Sequence, residues 1–155
     1  MAKQPRPFSK TEVAIANPLI KAMSRLNTWA YRATGGRLGG RFRNGAPVML
    51  LTTIGRKTGK RHTTPLLYLR EGDEVVTVAS KGGMDHHPIW YRNLLANPEV
   101  DVQIGTEVER GRARTANASE KSALWPRLVA MYPDYADYQS RTTREIPVVI
   151  IAKKQ

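Results

Sequence analysis

The chain has 155 residues, no cysteine and a formal net charge of +12, which comes from 25 Lys and Arg against 13 Asp and Glu. This length is enough to bury one core without disulfides or a structural metal, and the absence of thiols excludes thiolate catalysis. The positive charge indicates a partner that is nucleic acid, an anionic membrane face or a highly charged small molecule.

We expect a single domain over residues 1–155, located in the cytoplasm, because no signal peptide and no membrane-spanning apolar run are apparent. Residues 1–16 are predicted to form a basic arm and residues 17–34 an amphipathic helix that begins at Asn17-Pro18. One face of this helix is apolar and the opposite face is basic. The apolar face carries Leu19, Met23, Leu26 and Ala30. The basic face carries Lys21, Arg25 and Arg32. Either the helix packs on the core, or it lies on anionic lipid with Trp29 and Tyr31 near the headgroups.

A basic, glycine-containing turn follows the first predicted strand, residues 47–54. It contains Gly55 and Gly59 and the cations Arg56, Lys57, Lys60 and Arg61. Exposed amides in such a turn can form an anion-binding nest, to which Arg and Lys add charge-assisted bonds. A solvated hairpin tip is the alternative, and the spacing is not that of a Walker loop. Residues 13–70 contain eleven Lys and Arg and no Asp or Glu, which favours a polyanionic ligand.

A second polar turn, residues 79–83, closes a later predicted strand, and we expect the two turns to share one pocket. Six strands are predicted at residues 47–54, 63–70, 74–79, 99–104, 107–115 and 147–152, and two further helices at residues 89–96 and 119–131. Hairpins join most of the strands, so the sequence indicates an α+β protein with a mainly antiparallel sheet or small barrel.

Several common chemistries lack their sequence motifs. We predict no metal site, because His62, His86 and His87 do not have a metal-binding spacing. The serine hydrolase elbow and the dinucleotide fingerprint are also missing. The residues alone therefore predict a polyanion-binding barrel and no particular reaction.

Five motifs, in order along nearly the whole chain, resemble the actinobacterial deazaflavin-dependent nitroreductase family of F420H2-dependent quinone reductases and nitroreductases. They are residues 51–59 (LTTIGRKTG), Pro65-Leu66, residues 79–83 (ASKGG), residues 88–94 (PIWYRNL) with Asn97-Pro98, and residues 131–135 (MYPDY) with residues 137–140 (DYQS). The resemblance implies a six-stranded split β-barrel like that of FMN-binding proteins, and coenzyme F420, an 8-hydroxy-5-deazaflavin with a phosphodiester and an acidic tail.

The resemblance also implies roles for named residues. Those expected to bind the cofactor are Arg56, Lys57, Thr58, Arg61, His62, Thr64, Pro65, Leu66, Val78, Ala79, Ser80, Lys81, Gly82, Trp90, Tyr91, Asn93 and Tyr135. Those expected to donate a proton or to orient the acceptor are Ser80, Tyr132, Tyr135 and Tyr138. The acidic tail would be steered by the acid-free first half of the chain.

The implied reaction is hydride transfer to a menaquinone-like quinone or a nitroaromatic compound. Some relatives have an aromatic residue where this chain has Leu67, which leaves activity on nitroimidazoles open. An F420 carrier without turnover and an FMN-binding or haem-binding barrel are the alternatives. Nucleic-acid binding is disfavoured because the aromatic residues are not interleaved with the basic stretch, and no protein partner is evident.

Overall fold

A computed structural model of the protein describes residues 9–155. The helices are α1 (Lys10–Thr34), α2 (Ile89–Ala96), α3 (Ala118–Met131) and α4 (Asp134–Ser140). The strands are β1 (Val48–Ile54), β2 (Arg61–Leu67), β3 (Leu69–Glu71), β4 (Glu74–Val78), β5 (Glu99–Ile104), β6 (Glu107–Thr115) and β7 (Val148–Lys153). Short 3-10 turns lie at Arg43–Gly45 and Lys81–Gly83.

The strands form one antiparallel sheet in the order β2-β1-β5-β6-β7-β4-β3. Its two edge strands are consecutive along the chain, so the sheet curls into a split barrel, and this confirms the predicted fold. The predicted strand at residues 63–70 is two strands, because its first part, β2, pairs with β1, whereas its last part, β3, pairs with β4. The amide of Tyr68, between them, donates to the carbonyl of Pro47 at 3.1 Å. The Thr77 hydroxyl donates to the Leu67 carbonyl at 2.8 Å beside this break.

Three apolar clusters arise from the alternation of side chains along the strands. The barrel interior is filled from the sheet and from α2, and includes Met49, Leu51, Trp90, Tyr91, Leu94, Val102 and Ile151. On the outer face, β4 and β7 pack against α3 and α4 through Val76, Val78, Leu128, Tyr132, Tyr135 and Ile150. A smaller outer cluster joins the end of α1 to β1 through Tyr31, Val48 and Leu50. Leu67 contacts both outer clusters.

The first helix begins earlier than predicted. Ser9 caps it, and a capping box with Glu12 starts the helix at Lys10, so Pro18 lies inside it. The predicted basic arm at residues 1–16 is therefore helical from Lys10 onward, and its residues 1–8 lie outside the described residues. The helix ends at the predicted place, with Gly35 in the left-handed conformation (φ 61°).

The apolar face of α1 does not pack on the core. Leu19, Met23 and Leu26 are exposed, and Trp29 retains 67% of its accessible surface. Tyr31, which would lie near the headgroups in the alternative of a helix on lipid, is 1% exposed, and its hydroxyl accepts a bond from the Gly105 amide at 2.8 Å. The last turns of α1 are therefore held by the barrel.

Residues 118–131 form one continuous helix. Its N-cap is Asn117, which forms a capping box with Glu120, so the helix starts one residue before the predicted range 119–131. The helix runs through Pro126.

Candidate active site

Two glycine-containing basic turns lie at the same end of the barrel. Successive antiparallel pairings connect β1 to β4 through β5, β6 and β7, so β1 and β4 run in the same direction. We call residues 55–60, after β1, the hairpin turn, and Lys81–Gly83, after β4, the left-handed turn. The arrangement brings both predicted polar stretches to one rim.

The hairpin turn is closed by its own backbone. The Gly55 amide donates to the Lys60 carbonyl at 2.7 Å, and the Gly59 amide donates to the Gly55 carbonyl at 2.8 Å. A Cβ at Gly55 would lie 2.8 Å from the Thr58 hydroxyl and 2.9 Å from Nε2 of His62, so a larger residue there would displace these two side chains. Lys57 and Thr58 are exposed at the tip.

Asn93 of α2 connects this turn to the barrel. Its side chain is buried, its Oδ1 accepts from the Arg56 amide at 3.2 Å, and its Nδ2 donates to the Thr53 hydroxyl at 3.3 Å. Asn93, predicted to contact the cofactor, contacts the backbone of the turn in this structure and fixes the position of Arg56.

The left-handed turn has three consecutive residues with positive φ, namely Lys81 (45°), Gly82 (63°) and Gly83 (79°). A Cβ at Gly83 would lie 2.5 Å from the carbonyl oxygen of Tyr138, so the turn rests directly on α4. A Cβ at Gly82 would meet nothing within 4 Å, so the other side of the turn is open. Backbone groups on that side are accessible to a ligand.

Cations surround Lys81. Its Nζ lies 2.7 Å from Nε2 of His86. Burial, and then the charges of Lys21, Arg144 and Arg92, lower the pKa of Lys81. An anion bound at this turn would oppose that lowering and would itself be attracted.

The predicted residues of β2 divide between the two faces of the strand. Residues 61, 63, 65 and 67 share one face, and residues 62, 64 and 66 share the other. Leu66 packs against the interior cluster, whereas Thr63 faces α1 and accepts a bond from Arg32 at 3.0 Å. Arg61 forms an ion pair with Asp101 of β5, so its guanidinium already has an acidic partner.

A groove of about 470 Å³ separates α1 from β2. It is lined by Arg25, Thr28, Trp29, Arg32, Ala33 and Thr63. Arg25 and Arg32 lie on the predicted basic face of the helix, and in the structure this face looks toward the barrel, which no sequence pattern indicated.

The three tyrosines form a cluster in which rings contact one another. The hydroxyl oxygens of Tyr132 and Tyr138 lie 3.1 Å apart. Tyr135 is 4% exposed and packs edge-on against both neighbouring rings. Burial raises the pKa of Tyr132 and of Tyr135, so both hydroxyls stay protonated near neutral pH. Tyr138 is the most accessible of the three.

Trp90 and Tyr91 are buried in the barrel interior, 6% and 5% exposed. The Tyr91 hydroxyl lies 2.8 Å from the Thr115 hydroxyl, and the Tyr91 ring also packs against His87. Both side chains therefore pack α2 against the barrel interior. Val78 and Ala79 are likewise buried, at the end of β4.

Arg144 contributes to the structure of this rim, and its role was not predicted from the sequence. It lies between α4 and β7, and its guanidinium bonds to the segment containing the left-handed turn. No periodic pattern or motif marks residues 141–147, and the contact joins residues more than 60 positions apart.

The fold and rim define a split-barrel protein built to bind an anionic cofactor. A family model described as F420H(2)-dependent quinone reductase matches residues 23–153. An F420H(2)-dependent quinone reductase of Mycobacterium tuberculosis (strain ATCC 25618 / H37Rv) is 40% identical over 133 residues, which are 84% of this chain and 89% of that protein. The chain belongs to the F420H(2)-dependent quinone reductase family.

Solved structures agree with this assignment. An F420-H2 dependent reductase, FDR-A, superposes with a TM-score of 0.63 at 44% identity, over 68% of this chain and 93% of that one. A chain described as a domain-swapped dimer has a TM-score of 0.66 at 36% identity, over 88% and 98% of the two chains. The haem storage protein HutZ of Vibrio cholerae, at 12% identity over 70% and 82% with a TM-score of 0.53, shares the fold alone.

The residues at the rim fit coenzyme F420, the cofactor of this family. Within the described chain, the exposed ammonium groups of Lys57 and Lys60 have no acidic partner. The open side of Gly82 leaves room for a group to approach the backbone, and the cations around Lys81 favour negative charge there. A cofactor with a phosphodiester and carboxylates matches this donor set.

Proposed function

We propose that the protein transfers a hydride from reduced F420 to a quinone at the rim between the hairpin turn and the left-handed turn. The observation that carries the proposal is the placement of both basic turns at one end of the barrel, with an open glycine between cations. Family membership identifies the cofactor and the acceptor class.

Arg56, Lys57 and Thr58 would hold the phosphodiester, since charged donors and free turn amides are the usual ligands of phosphate. The groove beneath α1, with Arg25 and Arg32, would accept the acidic tail. Lys81 and the backbone at Gly82 would contact the polar edge of the ring system. Arg61 would act more weakly because Asp101 already neutralises it.

Reduced F420 supplies the hydride when bound, so the protein needs to orient the acceptor and manage a proton. Ser80 and Tyr138 are the accessible hydroxyls next to the left-handed turn. Tyr132 supports Tyr138 through the contact between their hydroxyls. The tyrosine rings would form an apolar wall for a flat acceptor, and a nitroaromatic compound would fit the same wall.

Purified protein mixed with reduced F420 and menadione tests the proposal. We expect oxidation of the cofactor well above the rate without enzyme, and a second assay with a nitroaromatic compound compares the two acceptor classes. Binding of F420 without oxidation by any acceptor would identify a carrier and contradict the proposed reaction. Tighter binding of FMN than of F420 would contradict the cofactor assignment.

Replacement of Ser80 by alanine tests its role. We expect turnover to fall by about 10²- to 10⁴-fold if the hydroxyl transfers the proton, with little change in the dissociation constant of F420. The control is Ser140→Ala, which removes an exposed hydroxyl that donates to the Asp137 carbonyl. An unchanged rate in Ser80→Ala would assign proton transfer to Tyr138 or to water.

We further propose that the exposed apolar face of α1 lies on the membrane surface, where a quinone is found. Leu19, Met23 and Leu26 form a continuous exposed stripe, beside Trp29, whose ring suits the headgroup region. None of the helices in the described residues is long and apolar enough to cross a bilayer. Association would therefore be peripheral.

Flotation with anionic and neutral vesicles tests this association. We expect the wild type to float with anionic vesicles, and Leu19→Glu with Leu26→Glu to remain in the dense fraction. Leu95→Glu is the control, because Leu95 is an exposed apolar residue on α2. If the wild type does not float and sediments as a dimer that the double variant dissociates, the stripe is an interface between copies of the chain.

A further inference from the structure

Arg144 forms an unusual number of bonds to one short segment. Its Nη2 donates to the Ser80 carbonyl at 2.7 Å, and its Nε donates to the Met84 carbonyl at 2.7 Å. Its Nη1 lies 3.3 Å from the Ala79 carbonyl oxygen and 3.1 Å from Nδ1 of His87. The guanidinium therefore joins the chain entering the left-handed turn to the chain leaving it.

This segment needs an external support because its local conformation is unfavourable. Lys81 has a φ of 45°, a conformation that L side chains rarely adopt. Inside the segment, the Gly83 amide donates to the Ser80 carbonyl at 2.9 Å, and the Met84 amide donates to the Lys81 carbonyl at 3.2 Å. These two bonds close the turn on itself but do not attach it to the barrel.

The backbone of Arg144 is itself held against α4. The Arg144 carbonyl accepts from Nε2 of Gln139 at 2.9 Å, and Oε1 of Gln139 accepts from the Ile146 amide at 3.0 Å. Gly83 rests on the backbone of Tyr138, one residue before Gln139. The left-handed turn and Arg144 are thus fixed to the same end of α4, which carries Tyr135 and Tyr138.

We propose that Arg144 is a positioning residue that holds the left-handed turn at a fixed distance from α4, so that Lys81 and the open face of Gly82 are preorganised for the cofactor. Only an arginine fork has donors spaced to reach carbonyl groups on both sides of the turn, and a lysine would reach one of them. This inference rests on the proposed function, because it assigns the turn to the cofactor site.

The test compares Arg144→Lys with wild type in three measurements: amide hydrogen exchange without cofactor, the dissociation constant of oxidised F420, and kcat against KM for menadione. We expect exchange to accelerate at residues 81–84 and to remain unchanged in β5 and β6. We expect F420 to bind about tenfold more weakly, as for the loss of one charge-assisted bond, while KM for menadione stays near the wild-type value. Arg127→Lys, at an exposed arginine paired with Glu71, is the matched control.

Chemical rescue supplies a second measurement. We expect Arg144→Ala to bind F420 more weakly still, and added guanidinium at millimolar concentration to restore part of the affinity. Unchanged exchange at residues 81–84 together with unchanged affinity in Arg144→Lys would overturn the inference, as would acceleration of exchange throughout the barrel. If wild type itself fails to bind F420, the proposed function fails, while the exchange measurement still decides whether Arg144 fixes the turn.

Discussion

The two turns of the rim hold their shapes in different ways. The hairpin turn is closed by two backbone bonds between its own ends, and its tip at Lys57 is exposed. The left-handed turn has three residues with positive φ, and it depends on α4 and on Arg144 for its position. One turn is therefore shaped by local sequence, and the other by residues that lie far away in the chain.

This difference indicates a division of labour at the proposed site. A hairpin with long, flexible cations at its tip can adjust to a phosphate, at the cost of ordering those side chains on binding. A turn fixed by several bonds can hold a planar group at a defined distance from the tyrosine wall with little further ordering. Variants that act on one turn at a time can separate the two roles.

The largest expected effect comes from adding a methyl group to each turn. Gly83→Ala places a Cβ 2.5 Å from the Tyr138 carbonyl oxygen at a φ of 79°, whereas Gly59→Ala meets nothing within 4 Å at a φ of 69°. We expect a loss of about 2–5 kcal/mol in the free energy of unfolding for Gly83→Ala, from strain and overpacking together. We expect about 1–2 kcal/mol for Gly59→Ala, from backbone strain alone. Urea denaturation measures both, and equal losses would contradict the contrast between the turns.

Charge reversal at the tip of the hairpin turn should weaken F420 binding and change the stability of the fold little. Lys57→Glu removes an exposed cation that contacts no acid among the described residues, so stability should change little. F420 affinity should fall by about ten- to a hundredfold, as for a lost charge-assisted bond of about 1.5–3 kcal/mol. Fluorescence titration measures this change, and Arg70→Glu on β3, at the opposite end of the barrel, is the control. An affinity that stays at the wild-type value would remove the hairpin turn from the site.

Loss of Asn93 should weaken the attachment of the hairpin turn. Asn93→Ala leaves the Arg56 amide and the Thr53 hydroxyl without their buried partner, which should cost about 1–3 kcal/mol of stability. Because the turn is closed by its own backbone, F420 affinity should fall less than in Lys57→Glu. Urea denaturation and titration of the same sample measure the two effects. An affinity loss larger than that of Lys57→Glu would show that the hairpin turn also depends on remote contacts.

The contrast between the turns also explains how much the sequence could predict. The hairpin turn and strands β5 and β6 follow from local alternation and from turn residues, and their predicted positions match the structure. The split of the second predicted strand arises because β2 pairs with β1 and β3 pairs with β4, so the two parts belong to opposite edges of the sheet. No local pattern contains that information.

Two other differences have physical causes of the same kind. Ser9 and Glu12 form a readable capping box, but Asn17-Pro18 is an equally good start signal, and only the structure decides between them. Trp90 and Tyr91 lie on a short helix that has apolar residues on both of its faces. Periodicity therefore could not show which side chains of this helix pack into the barrel interior and which lie at the rim. Arg144 acts through backbone carbonyls, which every sequence offers, and it therefore leaves no motif.

The smallest expected effect is a pH dependence confined to the left-handed turn. Burial, followed by the charges of Arg144 and Arg92, lowers the pKa of His87 below its usual value, so the neutral ring that accepts from Arg144 is favoured in the folded protein. Because the unfolded chain takes up this proton at higher pH than the folded one, the stabilisation is present above about pH 6.5 and is lost as the pH falls further. His86, which faces Lys81 and Asp85, shares the effect, because burial and then the charges of Lys81 and Arg144 lower its pKa too. Amide exchange, corrected for its intrinsic pH dependence, should therefore accelerate at residues 81–84 as the pH is lowered from 7 to 5. No such acceleration is expected at the hairpin turn. His87→Gln should reduce the acceleration at residues 81–84. The same acceleration in both turns would mean that acid loosens the barrel as a whole, and that the left-handed turn has no separate support.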